Sequence, residues 1–251
     1  GANNTFVGNA SGAAVTSGGN NVFVGGDAGA TVTTADRNTI VGYGAGSAMT
    51  TGEKNVFVGY NAGLSGTDGS GVRNVGVGNQ ALLSLTDGQR NTAVGFTAGQ
   101  LITTGENNIA IGYSAANGFD TENHNLAIGT DALGGSVAGG EFNVAIGNNA
   151  LDALTSSDGN VAIGYQAATD ITTGDASVYV GYHAGYNATT ASTNIFVGYQ
   201  AAGLGVVTGG TNVAVGAQSL YDLTSGANNI AMGYRAGYNL TTAAGNTILG
   251  T

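Results

Sequence analysis

Every seventeen residues this chain begins again. The unit Asn–apolar–X–apolar–Gly occurs as NTFVG, NVFVG, NTIVG, NVGVG, NIAIG, NLAIG, NIAMG and NTILG, among others. Its first residue falls at Asn4, Asn21, Asn38, Asn55, Asn74, Asn91, Asn108, Asn125, Asn143, Asn160, Ser177, Asn194, Asn212, Asn229 and Asn246, which makes fifteen copies. The steps are 17 residues except for one of 19 and two of 18, and the longer ones precede Asn74, Asn143 and Asn212. They fall in segments such as SGTDGSG, so the insertions belong to turns and leave the unit intact. Fixed self-similarity on this scale is the mark of a chain that stacks its own repeats, because one repeat cannot bury its apolar face alone.

Aligned copies turn positions into columns. Apolar residues or Thr stand one after the Asn, aliphatic residues three after it, and Gly four after it in all fifteen copies. The middle residue is apolar or small as well, as at Phe6, Phe23, Ala110, Tyr179 and Phe196. Strand residues alternate faces, so this short strand is apolar on both and calls for cover on both. Ala or Ser stands seven after the Asn. A second apolar column stands six before the next Asn: Val15, Val32, Met49, Leu85, Ile102, Phe119, Val137, Leu154, Ile171, Val206, Leu223 and Leu240. Each copy therefore reads as two short strands joined by two glycine-bearing turns. Helix is a poor alternative, since each interior glycine costs about 1 kcal/mol relative to alanine.

The expected fold is an all-β parallel solenoid, a single repetitive domain over residues 1–251. Coils pair in parallel with a rise of about 4.8 Å, so fourteen steps extend roughly 65–70 Å. Stacking aligns like residues and lets the Asn column form an amide ladder. The chain contains no proline, which suits a ladder that uses its N–H groups throughout. A glycine after a strand, such as Gly112, can open a phosphate loop, but such a loop has no reason to recur every 17 residues. The corner reading prevails.

Composition narrows the function classes. With 47 glycines but 42% apolar residues, the 251-residue chain has the material for a core and is not disordered. No cysteine is present, which removes disulfides, thiol nucleophiles and cysteine metal sites. A net charge of −10 argues against a nucleic-acid surface, and no apolar run approaches the roughly 20 residues of a membrane helix. The opening GANNTFVG already lies inside the pattern, so no signal peptide is visible and the chain reads as a fragment of a longer fibre.

Units such as NNIAIGYSA, GNVAIGYQA and SVYVG resemble the head repeats of trimeric autotransporter adhesins. Longer units such as GANNIAMGYRAGYNLTTAAGNTILG are similar to repeats in bacteriophage tail fibre proteins. The resemblance covers essentially the whole chain. It implies a left-handed parallel β-roll, three copies around one axis, and a structural and adhesive role outside the cell. The phage tail fibre contacting a host surface is the first reading, and the bacterial adhesin head the second. A thin core supports association independently: about four apolar side chains per coil, each contributing about 1.5–3 kcal/mol when buried, face a comparable ordering cost.

Two columns are candidate contact stripes. Arg37, Lys54, Arg73 and Arg90 stand immediately before the Asn of four successive coils, with His124 in the same place two coils later. Asp36, Glu53, Glu106, Glu141, Asp158 and Asp175 stand one residue earlier. This stripe either recognises anionic sugars or pairs charge between coils or subunits. Tyr43, Tyr60, Tyr113, Tyr165, Tyr182, Tyr199 and Tyr234, with Phe96, follow the corner glycine. An aromatic row can stack sugar rings or pack at a subunit contact, and packing is the favoured expectation. The expected partners are further copies of the chain and a host glycan or protein receptor, without nucleic acid or membrane insertion.

A Thr column after the second apolar column (Thr16, Thr33, Thr103, Thr172 and others) raises an ice-binding solenoid, although its neighbours read as a turn edge. Acids such as Asp68, Asp87 and Asp158 sit in TDG or SDG turns that Asp favours anyway. A polysaccharide depolymerase would need a carboxylate pair that nothing singles out. No residue is assigned a catalytic, cofactor-binding or metal-binding role.

Overall fold

The computed structural model describes residues 1–64, 69–136 and 138–250. Asp68 and Val137, two positions named above, lie outside the described residues. The chain divides into two compact units, Gly1–His124 and Asn125–Thr251. The first holds β1 (Thr5–Val7), β2 (Val22–Val24), β3 (Thr39–Val41), β4 (Val56–Val58), β5 (Val75–Val77), β6 (Thr92–Val94) and β7 (Ile109–Ile111). The second holds β8 (Leu126–Ile128), β9 (Val144–Ile146), β10 (Val161–Ile163), β11 (Val178–Val180), β12 (Ile195–Val197), β13 (Val213–Val215), β14 (Ile230–Met232) and β15 (Thr247–Leu249). No helix occurs among the described residues.

Within each unit successive strands pair in parallel, column on column, to make a β-solenoid. Thr5 faces Val22 across β1 and β2, and Val161 faces Val178 across β10 and β11. The insertions do not disturb this register: Val56 still meets Val75, Leu126 meets Val144, and Ile195 meets Val213. The fifteen strands among the described residues have three residues each and begin one residue after the repeating Asn or Ser, where the period places the first strand of each copy.

Among the described residues the second strand of the coil does not form, and Met49 of that column makes only an isolated bridge with Gly69. Counting the Asn as position 0, the residues at positions 6, 8 and 16 adopt left-handed backbone, as Thr97 (φ 52), Gly99 (φ 56) and Asn107 (φ 59) do in one coil. Such residues reverse the chain at close intervals, so the second apolar column lies in a bend. Ile102 donates its N–H back to Gly99 at 3.2 Å, and the neighbouring Thr103 N–H reaches Asp120 O in the next coil at 2.9 Å. Coil-to-coil bonding therefore continues there without a run of extended residues.

The middle strand residue points inward. Phe23, Ile40, Ala93, Ala145, Tyr179 and Phe196 are fully buried, as are the alanines at position 7 and Val32, Ile102, Phe119 and Ile171 of the second column. One expectation shifts by a residue: Val206 is 56% exposed and Val207 takes the buried place. The insertion before Asn212 displaces the chain by one position, and the next apolar residue fills the core instead.

The Asn column closes each coil and joins it to its neighbour. Asn91 donates its backbone N–H to Asn74 Oδ1 at 2.9 Å, and its Nδ2 donates to Gly105 O on the far side of its own coil at 2.7 Å. Asn91 Oδ1 in turn accepts the Asn108 N–H at 3.0 Å. A side chain that both donates and accepts is required here, which is why the column is amide. Ser177 keeps both roles over a shorter reach: its Oγ accepts the Asn194 N–H at 3.0 Å and donates to Asp175 O at 3.1 Å.

Candidate functional surface

Three surface features arise directly from the coil. The first is the outer face of the strand. Because the middle residue turns in, positions 1 and 3 turn out; position 3 is apolar throughout and position 1 is aliphatic or Thr. Val22, Val94, Ile109, Ile111, Ile163, Ile195, Ile230 and Met232 are all exposed. The strand's second apolar face thus stands uncovered in each unit, two side chains wide.

The second is the basic stripe. Arg37, Lys54, Arg73 and Arg90 all occupy the left-handed position before the Asn, with φ between 57 and 61°. Lys54 pairs with the adjacent Glu53 at 3.2 Å. Arg90 forms an ion pair with Glu106 of the next coil, and its Nε donates to Asn107 Oδ1 at 2.7 Å. Arg37 and Arg73 are exposed and make no ion pair among the described residues. So the stripe is partly occupied by pairing within the coil stack.

The flanking acids have a role that charge patterning did not reveal. Asp158 Oδ1 accepts the Glu141 N–H at 2.7 Å, and Asp175 Oδ1 accepts the Asp158 N–H at 2.8 Å. Asn123 does the same for Glu106 at 2.7 Å, and Ser192 for Asp175 at 3.1 Å. Any short acceptor serves, so the column is a backbone ladder first and an acidic edge second. Thr hydroxyls are used similarly: Thr86 donates to Thr103 O at 3.1 Å and Thr155 to Thr172 O at 2.9 Å.

The third feature is aromatic. Tyr43, Tyr60, Tyr113, Tyr165, Tyr182, Tyr199 and Tyr234 are all exposed, from 43% at Tyr182 to 58% at Tyr43. They stack on their neighbours along the coils. Ring centroids lie 5.9 Å apart for Tyr43 and Tyr60, 5.3 Å for Phe96 and Tyr113, and 5.4 Å for both Tyr165–Tyr182 and Tyr182–Tyr199.

In the second unit this column has companions that the sequence reading missed. Position 6 carries Gln166, His183, Gln200, Gln218 and Arg235, joined by hydrogen bonds. His183 Nε2 meets Gln166 Oε1 at 2.8 Å, Gln218 Nε2 donates to Gln200 Oε1 at 3.2 Å, and Arg235 Nε donates to Gln218 Oε1 at 2.9 Å. Position 9 adds Tyr186, Tyr221 and Tyr238. His183 stacks on Tyr182 at 4.0 Å and Tyr186 at 4.7 Å, and Arg235 lies over Tyr234 at 5.2 Å and Tyr238 at 5.1 Å. Desolvation holds the His183 imidazole below its ordinary pKa, favouring the neutral ring. The signal was present in the repeated GYQ, GYH and GYR, which place a polar side chain after the tyrosine. Comparison with protein families, with curated proteins and with solved structures finds no match to the chain.

Proposed function

We propose that the chain is a structural and adhesive segment of an extracellular fibre, in which three copies pack around a common axis and contact a host surface. The observation that carries this is the outer strand face, where two rows of side chains, mostly aliphatic, stand half-buried to exposed in successive coils. A long apolar surface of this kind marks an association site. Cyclic packing of identical solenoids covers it by bringing each coil against its equivalents. The number three, and the phage tail fibre in preference to an adhesin head, rest on the resemblance of the repeats. Thr hydroxyls engaged in the stack leave an ice-binding surface little to work with.

Light scattering at micromolar concentration should report about three times the 24.4 kDa chain mass. Ile195→Lys with Ile230→Lys, both on the outer face, should return the monomer mass with an unchanged β-sheet circular dichroism spectrum. A monomeric parent protein would defeat the assembly.

A further inference from the structure

The aromatic strip of the second unit differs in kind from its counterpart in the first. Between Asn160 and Tyr238 two aromatic rows flank one polar row: Tyr165, Tyr182, Tyr199 and Tyr234 on one side, interrupted at Ala217, and Tyr186, Tyr221 and Tyr238 on the other, interrupted at Gly203. In the first unit the ninth position is not aromatic, as Ser47, Leu64, Leu83, Gln100 and Asn117 show, so Tyr43, Tyr60 and Tyr113 stand as a single row.

We propose that this three-row strip binds a linear, uncharged hexopyranose polysaccharide lying along the stacking direction. The proposal rests on the adhesive reading above and gives it a ligand class. Because the rings stack on one another, a sugar lying along the row meets their exposed apolar edges, while phenol tips, amides and the Arg235 guanidinium can bond its hydroxyls. The polar row is held in place by its own hydrogen bonds, which lowers the entropy lost on binding. Tyr165, Tyr182 and Tyr199 repeat at 5.4 Å over three successive coils, a spacing comparable with the length of one pyranose ring, and Tyr234 resumes the row after Ala217, so a polymer can engage several coils where a monosaccharide engages one. Charge selects the class. The unit carries seven carboxylates and one arginine, Arg235, and a polyanionic glycan would be repelled.

The chain has no tryptophan, so its emission reports tyrosine directly. Maltohexaose, cellohexaose and laminarihexaose would be titrated against the intact chain by tyrosine fluorescence and calorimetry, with light scattering on the same samples. At least one should bind, its trisaccharide about tenfold more weakly. Tyr182→Ala with Tyr199→Ala should weaken the hexasaccharide by about tenfold or more, whereas Tyr43→Ala with Tyr60→Ala should leave it unchanged. The proposal is overturned if none of the three binds at millimolar concentration, if the second-unit variant binds as well as the parent, or if only an oligogalacturonate binds. It is also overturned if Tyr182→Ala with Tyr199→Ala dissociates the assembly, since the strip would then be a contact between copies. A three-copy mass without sugar binding rejects the strip alone; a monomer that still binds rejects the trimer and supports the strip.

Discussion

At the scale of the residue, the corner glycine is the least replaceable position in the coil. Gly95 has φ 142°, and a Cβ placed on it would lie 2.2 Å from Gly112 O of the next coil. Both the torsion and the contact exclude any side chain. Gly159, by contrast, sits at the position before the Asn with φ 66° and open space around the place a Cβ would take. Gly95→Ala should therefore cost about 3 kcal/mol or more, while Gly159→Asn should cost a few tenths, as urea unfolding would read. The glycine column was legible from its invariance within the chain. The left-handed positions were not, because Arg, Lys, Thr, Gln and Leu occupy them here and none advertises that conformation. Tyr179 is a further departure. Its hydroxyl is buried where other coils place Phe, and the nearby Ser177 only partly offsets the upward pull of burial on its pKa. No well-formed hydrogen bond reaches that oxygen.

At the scale of the single coil, positions 2 and 8 share one volume. Where the strand centre is large, position 8 is small: Phe23 with Gly29, Ile40 with Gly46, Phe57 with Gly63, Tyr179 with Gly185, and Phe196 with Ala202. Leucine at position 8 occurs only where the centre is small, as in Gly76 with Leu82, Ala127 with Leu133, Ala145 with Leu151 and Ala214 with Leu220, while Ala110 and Ala162 stand with Ala116 and Ala168. A Cβ at Gly29 would approach the Phe23 ring to 2.7 Å, which is the physical reason for the exchange. Gly99 and Gly237 stand opposite alanines, and there Ile102 or Leu220 of the surrounding core fills the space. Gly29→Leu alone should cost about 1–3 kcal/mol by overpacking and Phe23→Ala about 3–5 kcal/mol by cavity formation. The double variant should be less destabilised than the sum by about 0.5–3 kcal/mol, and strict additivity in a double-mutant cycle would refute the shared volume. This pairing was written in the columns and could be read only by comparing two of them coil by coil. The single strand per coil, in place of two, was hidden for a different reason. An apolar column shows that a residue is buried and says nothing about whether its backbone is extended, so Ile102 in its bend looks the same as a strand residue.

At the scale of the molecule, each unit is a one-dimensional array whose coils lean on their neighbours. Asn91→Ala removes the acceptor for the Asn108 N–H and the donor for Gly105 O, both inside the stack. Each orphaned group costs about 1–3 kcal/mol. Hydrogen exchange should show the largest loss of protection at Thr92–Val94 and Ile109–Ile111, fading toward Thr5–Val7; a uniform loss across the unit would contradict the array. The stacking itself was fully legible from the period. The exposed rows on the outer face and the three-row strip needed the structure, because alternation tells that two faces differ without telling which one is covered.

Within each unit, the register in which one coil meets the next has a genetic corollary. Since Asn74, Asn91 and Asn108 each bond to the preceding amide and across their own coil in the same way, an in-frame gain or loss of one such repeat by replication slippage would rejoin matching surfaces on either side of the scar. Length can then drift between lineages while the architecture of each remaining segment is inherited unaltered.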